Sequence, residues 1–277
     1  MKIDTVAGKK ILITGAVMGM GRLYAQLAVK EKAGAVVLWD INAAELEKTA
    51  SELKAQGGMV FTQVVDVSKL EAITAAAEQT RRDFGDIDIL FNNAGIVRGK
   101  YFWEHDHLKD TWLTMSINAL APMYIAREFL PAMIASGRES RLVNVASAAG
   151  LVSNPRMSVY CGSKWAATGW SDSVRLELEQ AGHRHVRVLT VNPTYISTGM
   201  FAGARGMLLT PIMTPEYVVH RVWNAMKKGR ARLILPWTVY LSNALKGILP
   251  LFLYDFIARH VMGVYKTMDE FRGHDTK

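Results

Sequence analysis

Tyr160 and Lys164 stand four residues apart in SVYCGSKWAATGW, residues 158–170, among small side chains. On a helix that spacing puts both on one face. A phenol has an ordinary pKa of about 10 and is a poor base at neutral pH. A neighbouring ammonium stabilises phenolate and draws that value down toward working pH. The pair could therefore move protons, or it could be ordinary helix surface. Its spacing alone does not choose.

A second group of residues suits phosphate. In TGAVMGMGR, residues 14–22, Gly15, Gly19 and Gly21 follow the pattern TGxxxGxG, with Val17, Met18 and Met20 between them. Glycine allows a tight strand-to-helix turn and a close approach of backbone to pyrophosphate, and the helix start offers free N–H groups and partial positive charge. Asp40 follows about 20 residues on, where a carboxylate accepts hydrogen bonds from both adenosine ribose hydroxyls and repels a 2′-phosphate. Met18 and Ile41 occupy the places where a basic residue would welcome that phosphate. NAD is expected as cofactor rather than NADP, with Arg22 as the counter-argument because it could reach a phosphate. Asp66 and Val67 end a further apolar run, where a carboxylate can meet the adenine amine or cap the helix that follows.

These groups need elements to hold them. Apolar runs at Lys10–Thr14, Ala35–Asp40, 60–67, 87–92, 141–145 and 186–192 read as strands. Helical spacing fills 20–32, 43–56, Leu70–Phe84, 111–136 and 158–181. Nearly continuous apolar strands alternating with helices predict an α/β fold, a doubly wound parallel sheet covered on both faces. The whole chain is expected to form a single Rossmann-fold domain with a core over 7–235. Composition shifts after about residue 194. The stretch 199–215 reads as a substrate lid, and 236–277 as a helical, hydrophobic C-terminal extension.

The bulk numbers narrow the partners. The chain has 277 residues and a formal charge of +8, but its basic residues are scattered, which argues against nucleic acid. A single cysteine, Cys161, excludes an intrachain disulfide and fits a reducing compartment. The N-terminus lacks a signal-peptide core, and no long uncharged apolar run occurs, so a cytoplasmic location is expected. The seven histidines show no metal spacing, and no metal is expected.

Taken in order, TGAVMGMG, Asp40, Asp66-Val67, NNAG (92–95), Asn118, Ser147, YCGSK (160–164) and NPTYIST (192–198) resemble the short-chain dehydrogenase/reductase family over residues 7–235. The family usually begins the last motif Pro-Gly, where this chain has Pro193-Thr194. The resemblance implies that Tyr160 is the general acid/base and that Lys164 tunes it and holds the nicotinamide ribose. It implies that Ser147 bonds the substrate oxygen and that Asn118 steadies a water in a proton relay. It places Asn93, Ala94 and Gly95 beside the adenosine, with Asn92 as the expected contact, and Pro193, Ile196 and Thr198 around the carboxamide. Cys161 is expected to be packing.

The substrate side is apolar. Met200, Phe201, Met207, Leu208, Leu209, Ile212 and Met213 populate the lid, and the tail continues LPWTVYLSNALKGILPLFLYDFIARH. Three uses of the tail compete: a wall for a lipophilic substrate, a subunit interface, or an interfacial membrane helix. The tail also resembles, less specifically, the branch of retinol and 17-beta-hydroxysteroid dehydrogenases. The expected reaction is hydride transfer between NAD and a lipophilic alcohol or its carbonyl, in a homodimer or homotetramer, with peripheral membrane contact open. The alternatives are an NADP-linked reductase of small carbonyls or acyl thioesters, and a catalytically silent nucleotide sensor or peripheral membrane protein.

Overall fold

Seven apolar segments pair side by side in the computed structural model, which describes residues 2–207 and 210–273. They are β1 (Lys10–Thr14), β2 (Ala35–Asp40), β3 (Val60–Val64), β4 (Ile89–Asn92), β5 (Ser140–Val145), β6 (Val186–Pro193) and β7 (Arg232–Leu235). All pair in parallel, in the order β3-β2-β1-β4-β5-β6-β7. The chain winds outward from β1 to β3, then returns to β4 on the other side of β1. That reversal opens a crevice at the carboxyl ends of β1 and β4, where open α/β sheets take ligands.

Alternate strand residues supply two cores. Ile11 and Ile13 join Tyr24, Leu46 and Trp223, from helices α1 (Gly19–Lys30), α2 (Ala43–Ala55) and the later α7 (Pro215–Lys227). Leu12 joins Ile73, Phe129 and Val174 on the opposite face, from α3 (Leu70–Phe84), α5 (Ala121–Ala135) and α6 (Ser158–Gln180). With both faces buried, the central strands β1, β2 and β4 are nearly continuous apolar runs, whereas edge strand β3, VFTQV, leaves Thr62 and Val64 exposed.

Three boundaries differ from the sequence expectation. The third strand stops at Val64 because Asp66 turns back, accepting hydrogen bonds from Ser68 N (3.0 Å) and Ser68 Oγ (2.6 Å). The sixth runs on to Pro193, carried by its pairing with β7. The helix expected over 111–136 begins earlier, where Asp106 caps Leu108 and Lys109. It contains π-helical turns at His107–Trp112 and Ser116–Leu120, flanking α4 (Leu113–Met115), before α5. Pro122 has no N–H for the Asn118 carbonyl four residues back, so a regular α-helical bond cannot form there.

Beyond β7 lie α8 (Thr238–Ile248) and α9 (Leu251–His260), separated at Pro250. Among the described residues no helix is long and apolar enough to cross a membrane. The last described residues return to the lid: Arg205 N donates to Thr267 O, and Arg272 N to Ala202 O, both at 2.9 Å. The tail packs so closely that a side chain at Gly203 would meet the Glu270 carbonyl at 2.0 Å.

Candidate active site

The glycine turn is shaped by close approach. Gly15 adopts φ +63°, and a Cβ there would stand 2.9 Å from Ala94 Cα. Asn93 clasps the turn, donating from Nδ2 to Thr14 O (3.0 Å) and Gly15 O (3.1 Å). α1 starts with no side-chain cap and no acid in its first turn, whereas α2 is capped by Asn42. Its leading N–H groups therefore face the crevice free of any side-chain acceptor, which suits an anion. Asp40, at the end of β2, accepts from Val17 N (3.3 Å) and Asn42 N (3.1 Å), so its carboxylate is fixed beside the turn. Arg22 is engaged by Glu52 instead.

The second half of the site rests on β5 and α6. Gly150 lets the turn after β5 lie on α6; a Cβ there would meet Lys164 O at 2.5 Å. Asn192 Nδ2 donates to Ser147 O (2.8 Å) and Thr168 Oγ1 (3.1 Å), locking the turn to the helix. Ser147 and Tyr160 are thereby brought together in the cleft, where the Ser147 hydroxyl favours the phenolate. Lys164 Nζ stands 5.7 Å from the centre of the Tyr160 ring and donates to Val145 O at 3.0 Å. All three residues are buried.

Burial dominates the electrostatics. It raises the Tyr160 phenol above its ordinary value, and the Ser147 hydrogen bond only partly opposes it. Burial lowers Lys164 to about 8. The expectation that Lys164 pulls the phenol down is not met by this pair alone. The ammonium is directed at the Val145 carbonyl, and removal from water raises the phenol. Tyr160 is thus a neutral acid at pH 7. At Asp66 burial also pushes upward, but Ser68 and the Lys69 charge outweigh it and hold the carboxyl below its ordinary range.

One cleft of about 370 Å³ joins the two halves. Of the residues singled out from sequence, Gly15, Met18, Gly19, Met20, Asp40, Ile41, Asp66, Val67, Asn93, Ala94, Gly95, Ser147, Tyr160, Lys164, Pro193, Ile196 and Thr198 all line it.

The comparisons agree with this arrangement. Residues 9–208 match the short chain dehydrogenase family. The chain belongs to that family. It is 35% identical over 276 residues to mouse (Mus musculus) epidermal retinol dehydrogenase 2, covering 98% of this chain and 88% of the relative. Identity to estradiol 17-beta-dehydrogenase 11 of Macaca fascicularis is 37% over 248 residues, covering 89% and 81%. Among solved structures, a Burkholderia phymatum short chain dehydrogenase/reductase in complex with NAD superposes with TM-score 0.80 at 25% identity, covering 88% of this chain and 95% of that one. As a short-chain dehydrogenase/reductase, the protein is an oxidoreductase.

Three residues singled out from sequence stand behind the wall of this short-chain dehydrogenase cleft. Val17 is buried in the core and reaches the site through its N–H to Asp40. Gly21 is a packing glycine, because a Cβ would fall 2.0 Å from the Gly15 carbonyl. The Asn118 amide is spent on structure: it accepts from Ile96 N (2.9 Å) and donates to Ile96 O (2.8 Å) and Ser163 Oγ (3.1 Å). Asn92 is not the adenosine contact expected of it. Its buried amide donates to Pro122 O (3.2 Å) and Asn144 Oδ1 (2.9 Å). Cys161 is packed in an apolar cluster with Tyr160 and Tyr195, and burial raises its thiol pKa.

From the lid, Met200 and Phe201 reach the cleft, and Leu208 and Leu209 lie outside the described residues. A second, apolar cavity adjoins Ser147, walled by the lid and by α8. Sequence reasoning gave no role to Thr194 or Asn154, which line it. Thr194 carried a signal in its departure from Pro-Gly; Asn154 carried none.

Proposed function

We propose that the protein transfers hydride between NAD and a lipophilic alcohol or its carbonyl. The observation that carries this is the placement of Ser147, Tyr160 and Lys164 together at one end of a cleft whose other end holds Asp40 and the glycine turn. The residues fit a dinucleotide: an uncapped helix start for pyrophosphate, and at Asp40 an acceptor for the ribose hydroxyls. Bound there, the cofactor supplies or takes the hydride.

Around it, Ser147 Oγ bonds the substrate oxygen. Tyr160, neutral through burial, gives its proton to that oxygen in the reductive direction. In the oxidative direction the phenolate takes the hydroxyl proton, and the Lys164 charge favours that form. Asn118 acts as a positioning residue through Ile96, while its carbonyl, which cannot accept from Pro122, is the group to hold a relay water. Asp40 with Met18 and Ile41, and Arg22 engaged by Glu52, favour NAD over NADP. The apolar cavity and the kinship with relatives named for retinol and estradiol favour a lipophilic substrate.

A substrate panel followed by NADH absorbance, together with Kd values for NADH and NADPH, tests the reading. Clearly tighter NADPH binding overturns the Asp40 argument, and an inactive panel favours a silent nucleotide sensor.

We also propose peripheral contact with a bilayer through α8 and α9. Trp237, Tyr240, Ile248, Phe252 and Phe256 are exposed there beside Lys246 and Arg259, aromatic and basic groups suited to an anionic interface. Flotation with anionic vesicles, lost in W237A/F252A, checks it. Exposed Leu120, Trp165 and Leu176 on the helical layer of α5 and α6 support a homo-oligomer, which sedimentation velocity would detect.

A further inference from the structure

Beyond Ser147 the cavity wall is mostly apolar, with Ala148, Val152, Met157, Val239 and Met262. Two side-chain oxygens of lining residues are nonetheless buried without a hydrogen-bond partner, Thr194 Oγ1 and Asn154 Oδ1. A bare buried oxygen is costly, and a native fold that keeps one calls for an explanation such as a ligand. Thr194 also lines the cofactor cleft, so it stands at the reacting end. Asn154 lines the cavity but not that cleft, and the proposed hydride transfer gives it no task.

The hydrogens around Asn154 can be counted. Its Nδ2 donates to Tyr195 Oη (3.0 Å) and Thr267 Oγ1 (2.8 Å). Thr267 Oγ1 donates to Val264 O (2.9 Å), so in the 2.8 Å contact between the two hydroxyls Tyr195 is the donor. Every side-chain hydrogen of the three-residue knot therefore has an acceptor inside it, on backbone or at Met157 Sδ, which stands 3.5 Å from Asn154 Nδ2 and 3.8 Å from Tyr195 Oη. What stays without a partner is an acceptor, the buried Asn154 Oδ1, held in place by the bonds at the other end of its amide. The knot is close to the chemistry. The Phe201 ring packs edge-on against both Tyr195 (5.2 Å between centroids) and Tyr160 (6.0 Å). A substrate body of modest length, passing Phe201, reaches both ends.

We infer that Asn154 is a specificity-determining residue that selects a bifunctional substrate. Besides the reacting carbinol or carbonyl, that substrate carries a second polar group with a hydrogen to donate, a hydroxyl above all. The inference rests on the alcohol–carbonyl chemistry proposed above. A mono-alcohol with a hydrocarbon tail leaves Oδ1 bare, whereas a diol covers it. A site that hydrogen-bonds a hydroxyl rejects the analogue lacking it far more strongly than an apolar pocket rejects a surplus methylene.

The test uses the full chain with its nicotinamide cofactor. Three probe series over a ladder of chain lengths are compared by kcat/KM: 1-alkanols, α,ω-diols and ω-methoxy-1-alkanols. At the fitting length the diol is expected to exceed the alkanol by roughly tenfold or more, beyond the about twofold advantage of two reactive ends. The methoxy compound, which keeps the oxygen and loses the hydrogen, is expected to fall back to the alkanol. Asn154→Leu is expected to reduce the diol preference to about the statistical twofold. Because that variant removes bonds to Tyr195 and Thr267, the wild-type ladder decides the matter if it does not fold. Equal diol and alkanol values at every length overturn the inference, as does a methoxy compound that matches the diol. If no series turns over, the alcohol reading itself fails. Calorimetric titration of the same compounds into protein with NADH then decides the acceptor: tighter diol binding upholds it, and equal binding overturns it.

Discussion

The two halves of the site are built in different ways. The cofactor half hangs on strand ends and a glycine turn, joined by hydrogen bonds that involve backbone, such as Val17 N to Asp40 and Asn93 Nδ2 to Gly15 O. Sheet pairing places these groups before any loop has to choose a conformation. The substrate half is assembled from the lid, α8 and the tail, segments far apart in sequence. Side-chain hydroxyls join them: Thr210 to Thr238 (2.8 Å), Ser242 to Tyr254 (3.1 Å) and Tyr195 to Thr267 (2.8 Å). On the proposed reading, the sheet carries the chemistry and what packs onto it meets the substrate. One scaffold can then serve many alcohols by changing the second half.

Four measurements bear on that division. The largest effect is expected at its seam. Tyr160→Phe should cut kcat on the order of 10²- to 10⁴-fold while NADH affinity barely moves. A matching loss of NADH binding would show that the halves are not separable.

Asp40→Ala should weaken NADH by roughly 10- to 100-fold in Kd, the loss of charge-assisted hydrogen bonds, and weaken NADPH less. Titration calorimetry on both cofactors would expose an equal loss, which would remove Asp40 from the ribose.

The third concerns pH. Folded Lys164 titrates at about 8, below its ordinary value. Between the two values the unfolded chain binds more protons, so stability should rise with pH from about 8 toward 10, by at most about 1.4 kcal/mol per unit. Above about 10 the raised Tyr160 acts in the opposite sense, because the folded chain then holds its proton longer. Denaturant midpoints across this range should show the rise, and Lys164→Met should flatten it.

The smallest effect belongs to the lid strap. Arg205 and Glu270 form an ion pair with both side chains exposed, and Arg205→Ala should cost under about 1 kcal/mol. A large drop in Tm would mean that lid and tail fold as one unit held by that pair.

The same division governs what could be read without a structure. Six of the seven strands, the phosphate turn, Asp40 and the Ser147, Tyr160 and Lys164 set were legible because each depends on local period or on a short motif, while β7 drew no expectation. Helix α7 was also legible, through the Thr214 cap and Pro215 at its first position, yet it drew no expectation. Asn92 and Asn118 misled in another way. Their residue types suit a ligand, but neighbouring carbonyls take the Asn92 amide hydrogens, and Ile96 takes both ends of the Asn118 amide.

By itself, then, the sequence determined six strands of the sheet, the phosphate turn and the family's reaction class, because continuous apolar strands and a glycine turn leave the backbone few alternatives. Only the tertiary structure decided which side chains remain open to a ligand. An amide such as Asn154 has the same composition whether its hydrogen bonds are filled or free. Which state it has depends on Tyr195 and Thr267, 41 and 113 residues away, and no local pattern records them.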